Sequence, residues 1–199
     1  MNKWTSRERL CIEGGSAGGM TVGASLNIEP SLWRVAIMDV PFVDCVATML
    51  DESIPLTVIE FDGAVCIPVQ ARCALLCSKS VIHSNVFAEW GNPKESKEMF
   101  DYMLSYSPMN NIKQGAKYPA MMVTSGLHDP RVQYWEPLKY VQKVRELASQ
   151  DDPARPVVHR VQMSAGHSSV SGRFQALNEE AMKFAFALHH LGFKLAEFA

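Results

Sequence analysis

The segment that most restricts this chain is Leu10-Cys11-Ile12-Glu13 followed by Gly14-Gly15-Ser16-Ala17-Gly18. A β-type run that ends in glycines and a serine can turn sharply from strand to helix, because small side chains let neighbouring backbone pass close. Ala17 to Ile28 is small and apolar enough for a tightly packed helix, and Pro30 stops it. Gly14 and Gly18 are expected to clear the turn, with Ser16 at its apex in a strained conformation. The Ala17 amide then falls at the helix N-terminus, where it can stabilise an oxyanion.

The rest of the chain alternates strand and helix signals. Arg34 to Asp39 is a strand, and Tyr118 to Thr124 is a continuous apolar run typical of a strand buried on both faces. Tyr134 to Ala148 has helical spacing, with Trp135, Leu138, Val141, Val144, Leu147 and Ala148 near one stripe. Pro156 to Met163 is a valine-rich strand. Ala176 to Leu191 is a last amphipathic helix carrying Met182, Phe184, Ala185, Phe186 and Leu188. Strands alternating with helices of this length predict βαβ crossovers, a mostly parallel sheet and an α/β fold with helices on both faces.

Composition narrows the class. Hydrophobic residues are 47% of the 199 and charged residues 20%, as in an ordinary globular protein. The net charge of −2 with interspersed signs predicts neither nucleic acid nor an acidic membrane as partner. No run of eighteen apolar residues predicts a membrane span, and the start lacks the apolar core of a signal peptide. Five cysteines without disulfide-framework spacing predict free thiols and a reducing, cytoplasmic setting.

A serine hydroxyl is a poor nucleophile without a histidine base that a carboxylate orients. Asp129 follows the buried strand, and His167 follows the valine strand, in Ala165-Gly166-His167-Ser168. Ser16, Asp129 and His167 therefore come in the chain order of α/β-hydrolase triads, each at a strand end where parallel sheets build their sites. His128 precedes the acid and His159 lies inside a strand. His189 and His190 sit on the last helix, so His167 is the expected base.

One stretch breaks the pattern. From Gly63 to Ala88 there is no acidic residue, and 16 of 26 residues are hydrophobic. Cys66, Cys73, Cys77 and His83 lack the C-x-x-C spacing of structural zinc sites, so no metal is expected. The stretch reads as an irregular insertion and resembles translated non-coding sequence.

GGSAGG, VPFVDCVATMLDESIPLT, EWGNP, YSPMNNI, SGLHDPRVQYWEP and SAGHSSVSGRF together resemble the catalytic domain of the prolyl oligopeptidase family, nearest its oligopeptidase B branch. The likeness runs from about Thr5 to Leu191, apart from the anomalous stretch. It implies an α/β-hydrolase fold and a serine endopeptidase with Ser16, Asp129 and His167 as its triad. No cofactor is implied. The implied substrate is a short peptide cleaved after Arg or Lys. Acidic pocket residues that would pair with the basic side chain fall at Glu60 and Asp62, and a carboxylate can take two parallel bonds from a guanidinium. Family members carry further strands and a β-propeller before the nucleophile strand, together with a tyrosine that donates to the oxyanion. On this likeness residues 1–199 read as the C-terminal part of a catalytic domain. The alternatives are an inactive truncated homologue that acts by binding protein, or an esterase of the same fold.

Overall fold

The computed structural model describes residues 4–51, 53–54, 90, 92–148, 152–168 and 173–193. Glu60, Asp62 and the stretch from 63 to 88, with its candidate zinc ligands, lie outside the described residues.

Among the described residues four strands form one sheet in the order of the chain: β1 (Cys11–Gly15), β2 (Val35–Asp39), β3 (Ala120–Gly126) and β4 (Val157–Gln162). Every neighbouring pair is parallel, with Cys11 opposite Val35, Val35 opposite Ala120 and Met121 opposite Val157. β2 and β3 are the inner strands and are buried on both faces, as continuous apolar runs require. Parallel neighbours need crossovers, and α1 (Ala17–Ile28) and α4 (Trp135–Leu147) supply them between β1 and β2 and between β3 and β4.

The main core lies between these two helices and the sheet. Ala36, Met38, Met121 and Val123 meet Val22 and Leu26 of α1 and Tyr140, Val141 and Val144 of α4. Each fully buried aliphatic side chain contributes about 1.5–3 kcal/mol. The expected α4 stripe is only partly right. Val141 and Val144 are buried, but Trp135 and Leu138 are 41% and 37% exposed, and the covered face includes Glu136, Pro137 and Tyr140.

The opposite face carries α5 (Arg173–His190). Val35 and Ile37, which alternate with Ala36 and Met38, pack there on Ala187 and Phe186. The expected apolar face of α5 forms only in part, with Phe186 packed on the sheet and Met182 and Leu188 half-buried. Lys183 and Ala187 are its buried residues, whereas Phe184 is exposed.

Two helices had no counterpart in the sequence reading. α2 (Cys45–Leu50) and α3 (Lys97–Tyr106) pack on each other between β2 and β3 in the chain. Phe42, Cys45, Met49, Met103 and Val132 form their shared core, with the Trp90 ring 5.2 Å from Phe42. Ser96 caps α3 by accepting from the Met99 amide at 3.1 Å, satisfying one of the amides that a helix start leaves unpaired. Among the described residues no helix is long and apolar enough to cross a membrane.

Candidate active site

Three loops at the carboxyl ends of the strands converge. Ser16 follows β1 directly and has φ 52° and ψ −121°, a region that costs a residue with a side chain about 1–3 kcal/mol. The surrounding backbone holds it there. The Ser16 amide donates to the Asp39 carbonyl at 2.9 Å, and the Ser16 carbonyl accepts from Gly19 at 2.9 Å and from Phe42 at 3.0 Å. A Cβ on Gly14 would lie 2.5 Å from the Gly18 carbonyl oxygen, so position 14 requires glycine. Gly18 does not clear the turn as expected: a Cβ there would meet nothing within 4 Å among the described residues.

Asp129 lies three residues beyond β3, with its carboxylate fully buried. Its Oδ1 accepts from the amides of Arg131 at 2.8 Å and Val132 at 3.0 Å. This leaves Oδ2 to meet His167 Nδ1 at 2.8 Å. The other ring nitrogen, Nε2, lies 3.0 Å from Ser16 Oγ. With the proton on Nδ1, the ring donates to Asp129 and can accept the serine proton at Nε2.

The histidine loop reaches the serine because it crosses β3 closely. The His128 amide donates to the Ala165 carbonyl at 3.0 Å, and a Cβ on Gly126 would come within 2.5 Å of the Gly166 oxygen. Ala17 is the first residue of α1, so its amide has no acceptor within its own helix. A cavity of about 320 Å³ opens between Ser16, His167, Ser125, Gln162 and the α5 residues Met182 and Lys183.

The remaining histidines do other things. His159 Nε2 lies 2.8 Å from Ser125 Oγ, and burial, reinforced by the Arg145 charge, holds its imidazole below the ordinary range. The serine of this second Ser–His pair, Ser125, is only 1% exposed. His128 is exposed, and the His189 and His190 rings contact each other on α5.

Two functional neighbourhoods were invisible to sequence reasoning. Glu136 is buried at the start of α4 and accepts from the Val43 amide at 2.6 Å, the Asp44 amide at 2.8 Å and the Thr48 hydroxyl at 2.9 Å. Burial pushes this carboxyl up to about 7 despite those hydrogen bonds. It ties the helix after the Asp129 loop to the segment that follows β2. Lys183 is buried on α5 and reaches Asp39 Oδ2 at 2.6 Å. Neither residue carries a local signal, because a charged residue in a helix ordinarily faces water.

The same fold and segments occur in known proteins. The model of the prolyl oligopeptidase family matches residues 1–72 and 73–194. A dipeptidyl aminopeptidase BI from Pseudoxanthomonas mexicana is 43% identical over 95% of this chain and 22% of its own length. Protease 2 from Moraxella lacunata is 39% identical over 98% of this chain and 24% of its own length. Oligopeptidase B from Leishmania major superposes with a TM-score of 0.76 at 41% identity, over 95% of this chain and 22% of that one. The chain thus spans about a quarter or less of the length of these relatives. Its parallel sheet with helices on both faces is of the α/β-hydrolase type. The chain belongs to the prolyl oligopeptidase family of serine peptidases.

Proposed function

We propose that this chain is the C-terminal part of a serine peptidase catalytic domain that hydrolyses short peptides by acyl transfer to Ser16. The observation that carries the reading is the continuous relay from Ser16 Oγ through His167 to Asp129, at 3.0 and 2.8 Å. His167 Nε2 takes the Ser16 proton as Oγ attacks the scissile carbonyl, then returns it to the departing amine. A water molecule repeats the sequence to release the acyl group. Asp129 holds the ring in its productive tautomer and stabilises the imidazolium that forms. The Ala17 amide, backed by the partial positive charge of the α1 N-terminus, donates to the oxyanion. The relay has no step that calls for a metal or cofactor.

The preferred peptide carries Arg or Lys before the scissile bond, with Glu60 and Asp62 accepting from the basic side chain. That assignment rests on likeness to oligopeptidase B alone. The free thiols of Cys11 and Cys45 fit a reducing, cytoplasmic compartment. The name of the Pseudoxanthomonas relative favours a second reading, release of dipeptides from an amino terminus.

Hydrolysis of an Arg-peptide amide, a Pro-peptide amide and a free-amino dipeptidyl amide distinguishes these readings. The Arg-peptide is expected to be cleaved fastest, and Ser16→Ala is expected to lower its rate by several orders of magnitude. Faster cleavage of the dipeptidyl amide would favour the second reading. Unchanged turnover in Ser16→Ala would overturn the nucleophile assignment.

A further inference from the structure

The strained turn at Ser16 depends on the end of β2. Asp39 supplies the carbonyl that binds the Ser16 amide, and Phe42, three residues on, donates to the Ser16 carbonyl. The link between them is itself strained, since Val40 has φ 39°, an outlier for a β-branched residue. Strained residues such as Ser16 and Val40 persist only if their surroundings over-determine them. Here the Asp39 side chain is fixed on both oxygens. Oδ1 accepts from the Thr124 hydroxyl at 2.8 Å, and Oδ2 accepts from Lys183 Nζ at 2.6 Å.

Lys183 is equally constrained. It is 8% exposed, and its ammonium faces three carboxylates: Glu13 of β1 at 3.4 Å, Asp39 of β2 at 2.6 Å and Glu180 of α5 at 2.6 Å. An ammonium has three N–H groups, so each carboxylate can take one. Burial works against the charge, but the bonds to Asp39 and Glu180 more than offset it and hold Lys183 above its ordinary range.

We propose that Lys183 is a positioning residue for Ser16, anchoring Asp39 so that its backbone carbonyl holds the nucleophile turn in its strained conformation. The proposal deepens the reading of Ser16 as nucleophile and rests on it. Lys183 does not touch the reacting atoms. Without its charge, Asp39, Glu13 and Glu180 lose their common partner, and the end of β2 is free to relax away from Ser16.

The test follows inactivation of the chain by a fluorophosphonate, separating the binding constant from the maximal rate, alongside hydrogen exchange at the Ser16 and Phe42 amides. Lys183→Met and Asp39→Asn are each expected to lower the maximal rate on the order of tenfold, a loss larger than any change in the binding constant, as for small misplacements of a reacting group. The double variant is expected to be no slower than either single one, because both remove the same link. Lys183→Arg is expected to restore most of the rate, and exchange at Ser16 is expected to quicken only where the link is lost. Wild-type rate and exchange in Lys183→Met, or multiplying effects in the double variant, would overturn the proposal. Asp39→Asn reads the same link if Lys183→Met fails to fold. A wild-type chain that takes no label contradicts the nucleophile assignment, whereas exchange at Ser16 still supports or overturns the anchoring role.

Discussion

The two faces of the sheet are covered by different means. Under α1 and α4, thirteen buried residues among those described make one continuous apolar cluster, from Val22 and Leu26 across Met38 and Met121 to Val144. Under α5, among the described residues, only Val35, Ile37 and Ala187 are buried together, and ionic contacts of 2.6 Å surround Lys183. Phe174, Leu177 and Phe184 of α5 are 80%, 53% and 62% exposed. Apolar packing is non-directional and fixes where α1 sits. Hydrogen-bonded charges are directional and fix how the end of β2 is turned. Ser16 lies where the two faces meet, with its helix held from one side and its amide acceptor from the other.

The largest effect is expected where packing dominates. Leu26 is fully buried against Ala36 and Met38, so Leu26→Ala is expected to cost about 3 kcal/mol in urea denaturation. A loss below about 1 kcal/mol would mean that this face relaxes around the missing atoms and is not close-packed.

A smaller effect is expected at Glu136, which braces α4 to the segment after β2. Its carboxyl is raised from 4.5 to about 7, chiefly by burial. The folded chain therefore keeps a proton that the unfolded chain releases between these values. The resulting stabilisation is complete below 4.5 and is lost as pH rises through about 7. Glu136→Gln stays neutral throughout, and its amide oxygen can still accept from Val43 and Asp44. Relative to that variant, the wild type is expected to lose on the order of 1–3 kcal/mol across the window. A difference that stays flat with pH would contradict the assignment.

The smallest effect is expected on the outer side of α5. Phe184→Ser is expected to change stability by no more than about 0.5 kcal/mol, as at other open surface positions. A loss above about 1 kcal/mol would show that this side chain is packed in solution and would erase the contrast between the faces.

The same contrast explains what was legible in the sequence. β2, β3, α1 and α4 announce themselves because continuous apolar runs and helical spacing reflect burial on the packed side. The convergence of Ser16, Asp129 and His167 was legible because each lies at or shortly beyond the end of a strand that could be recognised. α2 is too short for periodicity to show, and α3 is largely polar outside Met99, Phe100, Met103 and Leu104. Its capping serine, Ser96, and the spacing of Met99, Phe100, Met103 and Leu104 were the available signals. The covered side of α5 is only partly the apolar stripe expected, because a lysine, Lys183, is buried there beside Phe186 and Ala187. Glu136 was missed for the same reason, since its burial depends on Val43, Asp44 and Thr48, which are far away in the chain.

Of the serines beside a histidine, Ser16 is expected to be the one activated for attack. Ser125 provides an internal control: it also meets a histidine, His159, at 2.8 Å, but it is buried. Fluorophosphonate treatment of the wild-type chain, followed by peptide mapping of the adduct, separates the two. A single adduct on Ser16 is the predicted result. An adduct on Ser125 with Ser16 unmodified, or no adduct at all, would contradict it.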